Sequence, residues 1–313
     1  MNPLLSVVMP TYNGERFVAD ALESLRGQHQ GIELVIVDDG SSDSTLDIVR
    51  AFATSLPIRV IAPGRMGNWT AVSNLGLREA TGDWACFLHQ DDLWLPGRMT
   101  RLQPEMETAP GALILHNAIF VGPQNQELGP WTCPLREGLV SPAQFLEHLL
   151  VQNFIAISAP VFRRRLAIDS GGLDETLWFS ADWDLWLRLG ALGPVRFIAE
   201  TLSAFRVHPW SQTAARKVMP DEWEQQLTTV LARHLGSWPE KKGLRRSVER
   251  AARVSIAINS ALSAASRGED ADTSEVLRRL LALGPSGWRR YFRDSRIAQR
   301  VKSRLKLRRV KTA

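Results

Sequence analysis

Apolar runs alternate with amphipathic stretches from the amino terminus to Pro96. Leu5 to Met9 is apolar and stops at Pro10, and Gly14 to Arg26 follows with Phe17, Ala21, Leu22 and Leu25 at helical spacing. A second run, Ile32 to Val37, ends at Asp38-Asp39-Gly40-Ser41, after which Ser44 or Thr45 is placed to cap a helix reaching about Phe52. Ile58 to Ile61 predicts a third strand and Ala71 to Arg78 a third helix. The run after Thr81-Gly82-Asp83 predicts a buried strand that delivers Asp91 and Asp92 at its carboxyl end. Strand, helix, strand, helix in this order is the signature of a parallel sheet, whose ligands bind beyond the carboxyl ends of the strands.

Beyond Pro96 the pattern is less regular. Leu113 to His116 reads as a strand, Ala143 to Leu150 as a helix, and Asp182 to Leu192 as a helix with Leu185, Trp186 and Leu189 on one face. After Ser211 only helices are expected: Asp221 to His234, Val248 to Ala265, and Thr273 to Leu283. The last of these is opened by the pair Asp272 and Glu275 and closed by Gly284-Pro285. The expected organisation is an α/β domain over residues 1–215, a helical extension over 216–285 and a basic tail over 286–313.

Charge sharpens that division. The chain of 313 residues carries a net +5, yet Ser286 to Ala313 holds 11 Lys and Arg against the single acid Asp294, so the rest of the chain stands at −5. An acidic body argues against a nucleic-acid-binding core. In the tail, Trp288, Tyr291, Phe292, Ile297, Val301 and Leu305 interleave with Arg293, Arg296, Arg300 and Arg304, a pattern suited to an anionic membrane surface. A solvated charged tail fits the same residues. Cys86 and Cys133 are too few for a disulfide framework or a zinc site. With no leader pattern and no stretch long enough for a span, the expected location is cytoplasmic, peripheral to the inner face of the plasma membrane.

Three acidic sites stand at strand or helix ends: Asp38 with Asp39, Asp91 with Asp92, and Asp182 with Asp184. Each alone also fits a turn or a helix cap. Their context is more specific. Ser6-Val-Val-Met-Pro-Thr-Tyr-Asn13, then Val37-Asp-Asp-Gly-Ser-Ser-Asp43, resembles the opening of family 2 glycosyltransferases, inverting enzymes of the GT-A fold. Ala71 to Gly82 with Asn74 and Gly76, the strand to Asp91-Asp92, Gly171 to Glu175 and Asp182 to Arg188 are similar to later blocks of that family, so the likeness covers about residues 4 to 212.

The resemblance implies a nucleoside-diphosphate sugar as donor, UDP- or dTDP-linked, and a glycan or lipid-linked glycan as acceptor in cell-surface polysaccharide or lipopolysaccharide assembly. Pro10, Thr11 and Tyr12 would flank the base and Asp39 would accept from it with Asp38 nearby; Arg65, His89 and Arg206 complete the donor set. Asp91 matches the second acid of the family's Asp-x-Asp motif, which holds Mg²⁺ or Mn²⁺ against the diphosphate, and Asp92 and His208 join it as candidate metal ligands. Hard divalent cations suit such oxygen ligands. His89 stands where the motif's first acid is expected. Asp182 matches the general base, and Trp178 and Trp183 beside it are expected to meet the acceptor. Two other readings remain. A sugar nucleotidyltransferase would carry a Gly-rich, Lys- or Arg-bearing loop after the first strand, where Thr11-Tyr12-Asn13-Gly14 stands; a catalytically silent nucleotide-sugar-binding protein would tolerate the His89 departure.

Overall fold

The computed structural model describes residues 3–211, 220–267 and 273–311. The expected alternation is present as β1 (Leu5–Thr11), α1 (Val18–Glu23), β2 (Ile32–Asp38), α2 (Thr45–Phe52), β3 (Ile58–Ile61), α3 (Trp69–Glu79) and β4 (Trp84–Phe87). The next elements are β5 (Leu93–Trp94), α4 (Arg98–Thr108), β6 (Leu113–Val121), β7 (Glu127–Trp131), β8 (Gly138–Val140), α5 (Pro142–Leu149), β9 (Val161–Arg163), α6 (Arg164–Asp169), α7 (Ala181–Ala191) and β10 (Val195–Arg206). One sheet joins them in the order β3-β2-β1-β4-β9-β6-β10-β5, with β7 on β6 and β8 on β10.

β1, β2, β3 and β4 are parallel, and the order reverses at β1, with β2 on one side and β4 on the other. Such a reversal opens a crevice at the strand ends. Leu5, Val7 and Met9 of β1 pack into one layer with Val18, Leu22 and Leu102, while Val8 packs into the other with Val72 and Leu77. Burial on both faces is why β1 reads as an unbroken apolar run. Pro10 continues β1 rather than ending it. β4 stops at Phe87, the partner of Val8, so the missing Pro10 N–H faces a side with no strand left to bond. Gly76 lets α3 lie close on β1, since a Cβ there would stand 2.5 Å from Val8 Cγ1.

Among the described residues five helices follow: α8 (Pro220–Ser237), α9 (Lys242–Arg267), α10 (Thr273–Leu281), α11 (Gly284–Ser295) and α12 (Ile297–Lys311). They are not a separate layer. Val230, Leu231, Trp238, Val248, Ala251, Ala252 and Tyr291 share one apolar core with Phe87, Leu185 and Trp186. The expectation for the tail is corrected in part. Tyr291 is buried, and Trp288 and Ile297 pack against that core, because α11 docks on α5 through Arg290 to Glu147 at 2.6 Å and His148 to Asp294 at 2.8 Å. Phe292 and Leu305 remain 54% and 50% exposed. The expected boundary at residue 215, Gln212 and the cap Asp272 lie outside the described residues. Among the described residues no helix is long and apolar enough to cross a membrane.

Candidate active site

The ends of β1 and β2 build the first half of the site. The Asp38 carboxylate accepts from Thr11 Oγ1 at 3.0 Å and from the Ser41 amide and hydroxyl at 2.9 and 2.6 Å, so Thr11 and Asp38 are spent on fixing the turn after β2. That turn presents Asp39, whose carboxylate accepts from the Met66 and Gly67 amides and pairs with the Arg65 guanidinium. Arg65 lies over the Tyr12 ring, 3.8 Å from its centroid. The loop approaches this closely because residue 40 is glycine, at φ +72, where a Cβ would meet the Arg65 amide at 3.2 Å. Pro10 precedes this cluster in β1, and Tyr12, Asp39 and Arg65 form it directly.

The β4–β5 connection supplies the second half. Gln90 clamps the Tyr12 backbone from both sides: the Tyr12 amide donates to Oε1 at 2.9 Å, and Nε2 donates to the Tyr12 carbonyl at 3.0 Å. The loop bearing Asp91 is thereby tied to the loop bearing Tyr12. Asp91 Oδ2 lies 2.9 Å from His208 Nε2. Burial would raise the Asp91 carboxyl, but the hydrogen bond from His208 brings it below the ordinary aspartate value. Asp91 is thus an anion facing a histidine at the mouth of the switch-point crevice, a suitable oxygen donor for a hard cation.

Asp92 and Arg206 are placed differently from expectation. Asp92 is 1% exposed, accepts the Arg206 amide at 3.0 Å, and is pushed well up by burial and by the adjacent Asp91 charge, which disfavours it as an anionic metal ligand. Arg206 is buried and donates to the Asp91 carbonyl at 2.8 Å, to the Gly122 carbonyl at 3.1 Å and to Asp20 at 3.3 Å, with its guanidinium 4.7 Å over the Phe17 ring. These bonds make it a brace for the Asp91 loop rather than an open phosphate contact. His89 is held neutral by burial against the pull of Asp91; its Nε2 has no partner among the described residues, and its ring meets Trp69 edge-on at 5.3 Å. Among the described residues no three metal-binding side chains cluster. A cation held by one or two side chains plus substrate phosphates needs only Asp91 and His208, so the residues present fit Mg²⁺ or Mn²⁺.

Asp182 opens α7 in its first turn. Its Oδ1 accepts from the Trp183 amide at 2.7 Å and its Oδ2 from Asn153 Nδ2 at 2.9 Å. Burial outweighs these bonds and pushes the carboxyl up to about 6, a better proton acceptor than an exposed aspartate. A packed chain joins this side to the donor side: His89 against Trp69, and Trp69 Nε1 donating to the Trp178 carbonyl at 2.9 Å. Trp178 is half-buried beside Phe179. Trp183 is corrected. At 2% exposure, with Nε1 donating to the Leu149 carbonyl at 2.9 Å, it is a core residue and has no face for an acceptor. Gln90 and Asn153 were not singled out in the sequence. Both are polar loop residues with no periodic signal, and only their partners reveal them.

The sequence profile described as glycosyl transferase family 2 matches residues 6–164. An uncharacterised glycosyltransferase of Nostoc sp. is 28% identical over 214 residues, covering 65% of this chain and 65% of its own length. One from Bacillus subtilis is 29% identical over 185 residues, covering 59% of this chain and 67% of its own. Among solved structures, S. aureus TarS in complex with UDP-GlcNAc superposes with a TM-score of 0.66 at 18% identity, over 84% of this chain and 73% of that one. The mannosyltransferase PcManGT from Pyrobaculum calidifontis, in complex with GDP-Man and Mn²⁺, gives 0.56 at 16% identity, over 98% and 87%. The chain thus spans just under two thirds of the Nostoc relative and shares its fold with both structures.

Proposed function

The chain belongs to glycosyl transferase family 2 and is a glycosyltransferase of the GT-A fold, and from that premise we propose an inverting transfer from a nucleoside-diphosphate sugar to a glycan hydroxyl. The observation that carries this reading is the β1/β4 switch point, where Gln90 ties the Asp91 loop to Tyr12 and Arg65 lies between Tyr12 and Asp39. A base stacked on Tyr12 would donate its N–H to Asp39, with Arg65 moving aside or closing over it. Asp91 and His208 would hold a divalent cation, which when bound neutralises charge on the departing diphosphate. Arg206 keeps the Asp91 loop in place from behind.

Asp182 would take the proton of the acceptor hydroxyl as its oxygen attacks the anomeric carbon. The new C–O bond forms on the face opposite the breaking bond to the diphosphate, so configuration inverts and the nucleoside diphosphate leaves. General-base help of this kind is typically worth about 10² to 10⁴ in rate. The family match sets aside a sugar nucleotidyltransferase. A UDP- or dTDP-sugar as donor, and a lipid-linked glycan of cell-surface assembly as acceptor at the cytoplasmic face, complete the reading. UDP-GlcNAc and GDP-Man in the structural neighbours support the nucleotide-sugar part.

Thermal shift against UDP-, dTDP- and GDP-sugars, with and without Mn²⁺, tests the donor site. One class is expected to raise Tm in the presence of Mn²⁺, with the effect lost in Asp91→Ala. Asp182→Asn is expected to keep donor binding and lose transfer by about 10²-fold or more. No stabilisation by any sugar nucleotide, with Asp91→Ala indistinguishable from wild type, would remove the assignment.

A further inference from the structure

Asp182 is linked to the C-terminal helices by a chain of hydrogen bonds that passes through the Asn153 backbone. Arg300 Nη2 of α12 donates to Asn259 Oδ1 of α9 at 2.7 Å. Asn259 Nδ2 donates to Gln152 Oε1 at 2.7 Å, and Ser255 Oγ, one turn earlier on α9, donates to the same oxygen at 2.6 Å. Gln152 Nε2 donates to the Asn153 carbonyl at 3.1 Å, and Asn153 Nδ2 donates to Asp182 at 2.9 Å. Asn153 Oδ1 accepts the Ile155 amide at 3.1 Å, which leaves its amino group for the carboxylate.

The direction of this chain is fixed by chemistry. A guanidinium only donates, so Asn259 must turn its oxygen to Arg300 and its amino group to Gln152. Gln152 must then offer its own amino group to the Asn153 backbone carbonyl, which fixes the main chain from which the Asn153 side chain reaches Asp182. Arg300, Asn259 and Gln152 thus hold the Asn153 backbone in place, and the Asn153 side chain supplies the bond that stabilises the Asp182 anion. Arg300 is a costly group to use as mere filler: its Nη1 is buried without a partner, and among the described residues it forms no ion pair. α9 and α11 already dock through Val248, Ala251, Ala252 and Tyr291, so the polar chain is not needed to hold the helices on.

We propose that Arg300, Asn259 and Gln152 are positioning residues, which aim Asn153 at the Asp182 carboxylate and make the C-terminal helices part of the proton-accepting site. The inference rests on Asp182 being the base. The charged groups around α7 are otherwise engaged: Asp184 with Arg188, and with Arg233 and His234 of α8, while Arg304 lies alongside Arg300 on α12. Among the described residues no charge competes with Asn153 at the Asp182 carboxyl; burial, the Trp183 amide, Asn153 and its own amide set its acidity.

The test is ¹³C NMR titration of the Asp182 carboxyl in the full chain, assigned with Asp182→Asn. Asn259→Ala and Arg300→Met are expected to raise its midpoint by about half a pH unit or more, and Arg300→Lys to return it toward wild type. At pH 6 such a shift lowers the ionised fraction by about half. Arg300→Met and Arg300→Lys keep the test available if Asn259→Ala does not fold. A midpoint unchanged in Asn259→Ala and Arg300→Met overturns the positioning role and leaves the base assignment standing. UDP release from UDP-GlcNAc by Asp182→Asn at the wild-type rate overturns the base assignment, whatever the midpoints do.

Discussion

Burial turns Asp182 into a stronger base and makes it a burden on the fold at the same time. Its carboxyl sits at about 6, against 3.8 for an ordinary aspartate, because desolvation outweighs the bonds from Trp183 and Asn153. Below pH 3.8 the group is protonated in folded and unfolded chains and costs nothing. As pH rises through 6 the folded chain must carry a partly buried anion, and the cost is complete above that. Activity runs the opposite way, since only the anion accepts a proton. The acid limb of kcat/KM is therefore expected near pH 6, falling about tenfold per pH unit below it. Asp182→Asn is expected to be inactive yet more stable at pH 7.5 by about 1 to 2 kcal/mol, read as a higher Tm. A lower Tm in that variant would mean the carboxylate is well solvated. The position of Asp182 at the opening of a helix was legible in the sequence and motif, whereas the basicity its proposed role needs was not, because that comes from burial by segments distant in sequence. Trp183 was misread for the opposite reason: an indole beside the base looks the same in sequence whether it faces a sugar or the core.

Elements carry a second balance of charges, between α7 and α8. The Asp184 side chain is fully buried and meets Arg188, Arg233 and His234, each at 2.8 Å. Burial alone would raise its carboxyl; the His234 hydrogen bond and the charges of Arg188, His234 and Arg233 bring it to about 2. Its folded value lies below the ordinary 3.8, so its stabilisation is present above pH 3.8 and is lost as pH falls toward 2. Asp184→Ala leaves three cationic or hydrogen-bonding groups facing one another and is expected to cost about 3 to 5 kcal/mol at pH 7. The Tm gap to wild type should narrow at the acid end of that window; an equal gap at both pH values would assign the loss to packing. At this scale the sequence was read well through β4, where apolar runs are unbroken, but the cap of α2 was not: Ser44 makes no capping bond, and Asp43 accepts the Thr45 amide at 3.0 Å instead. β5, β8 and β9 have three residues or fewer, too short for periodicity to register. β10 was missed although it is the longest strand, because register shifts between Ile198, Thr201 and Ser203 break its alternation.

For the molecule as a whole, the distribution of charge sets how it meets a surface. The segment from Ser286 onward carries +10 on a body of −5, and its described helices are docked: α11 lies against α5 through Arg290 and Glu147, and Gln299 of α12 donates to Thr132, just after β7, at 2.8 Å. Docking uses part of the apolar stripe and leaves Phe292 and Leu305 outward among arginines and lysines. A basic segment with these two exposed apolar side chains would suit anionic lipid, where each Lys or Arg near the surface adds about 1 kcal/mol and the attraction fades within a Debye length. The full chain is expected to sediment with vesicles containing about 30% phosphatidylglycerol at about 0.05 M salt, not with neutral phosphatidylcholine vesicles, and to be released near 0.5 M salt. The double variant Phe292→Ala, Leu305→Ala should bind more weakly at low salt because it loses apolar insertion but no charge. Equal binding to neutral and anionic vesicles, or none to either, would remove the membrane reading and leave a solvated basic face. Arg300 is set apart from that face by its bond to Asn259, so Arg300→Met should disturb the carboxyl of Asp182 while leaving vesicle binding close to wild type.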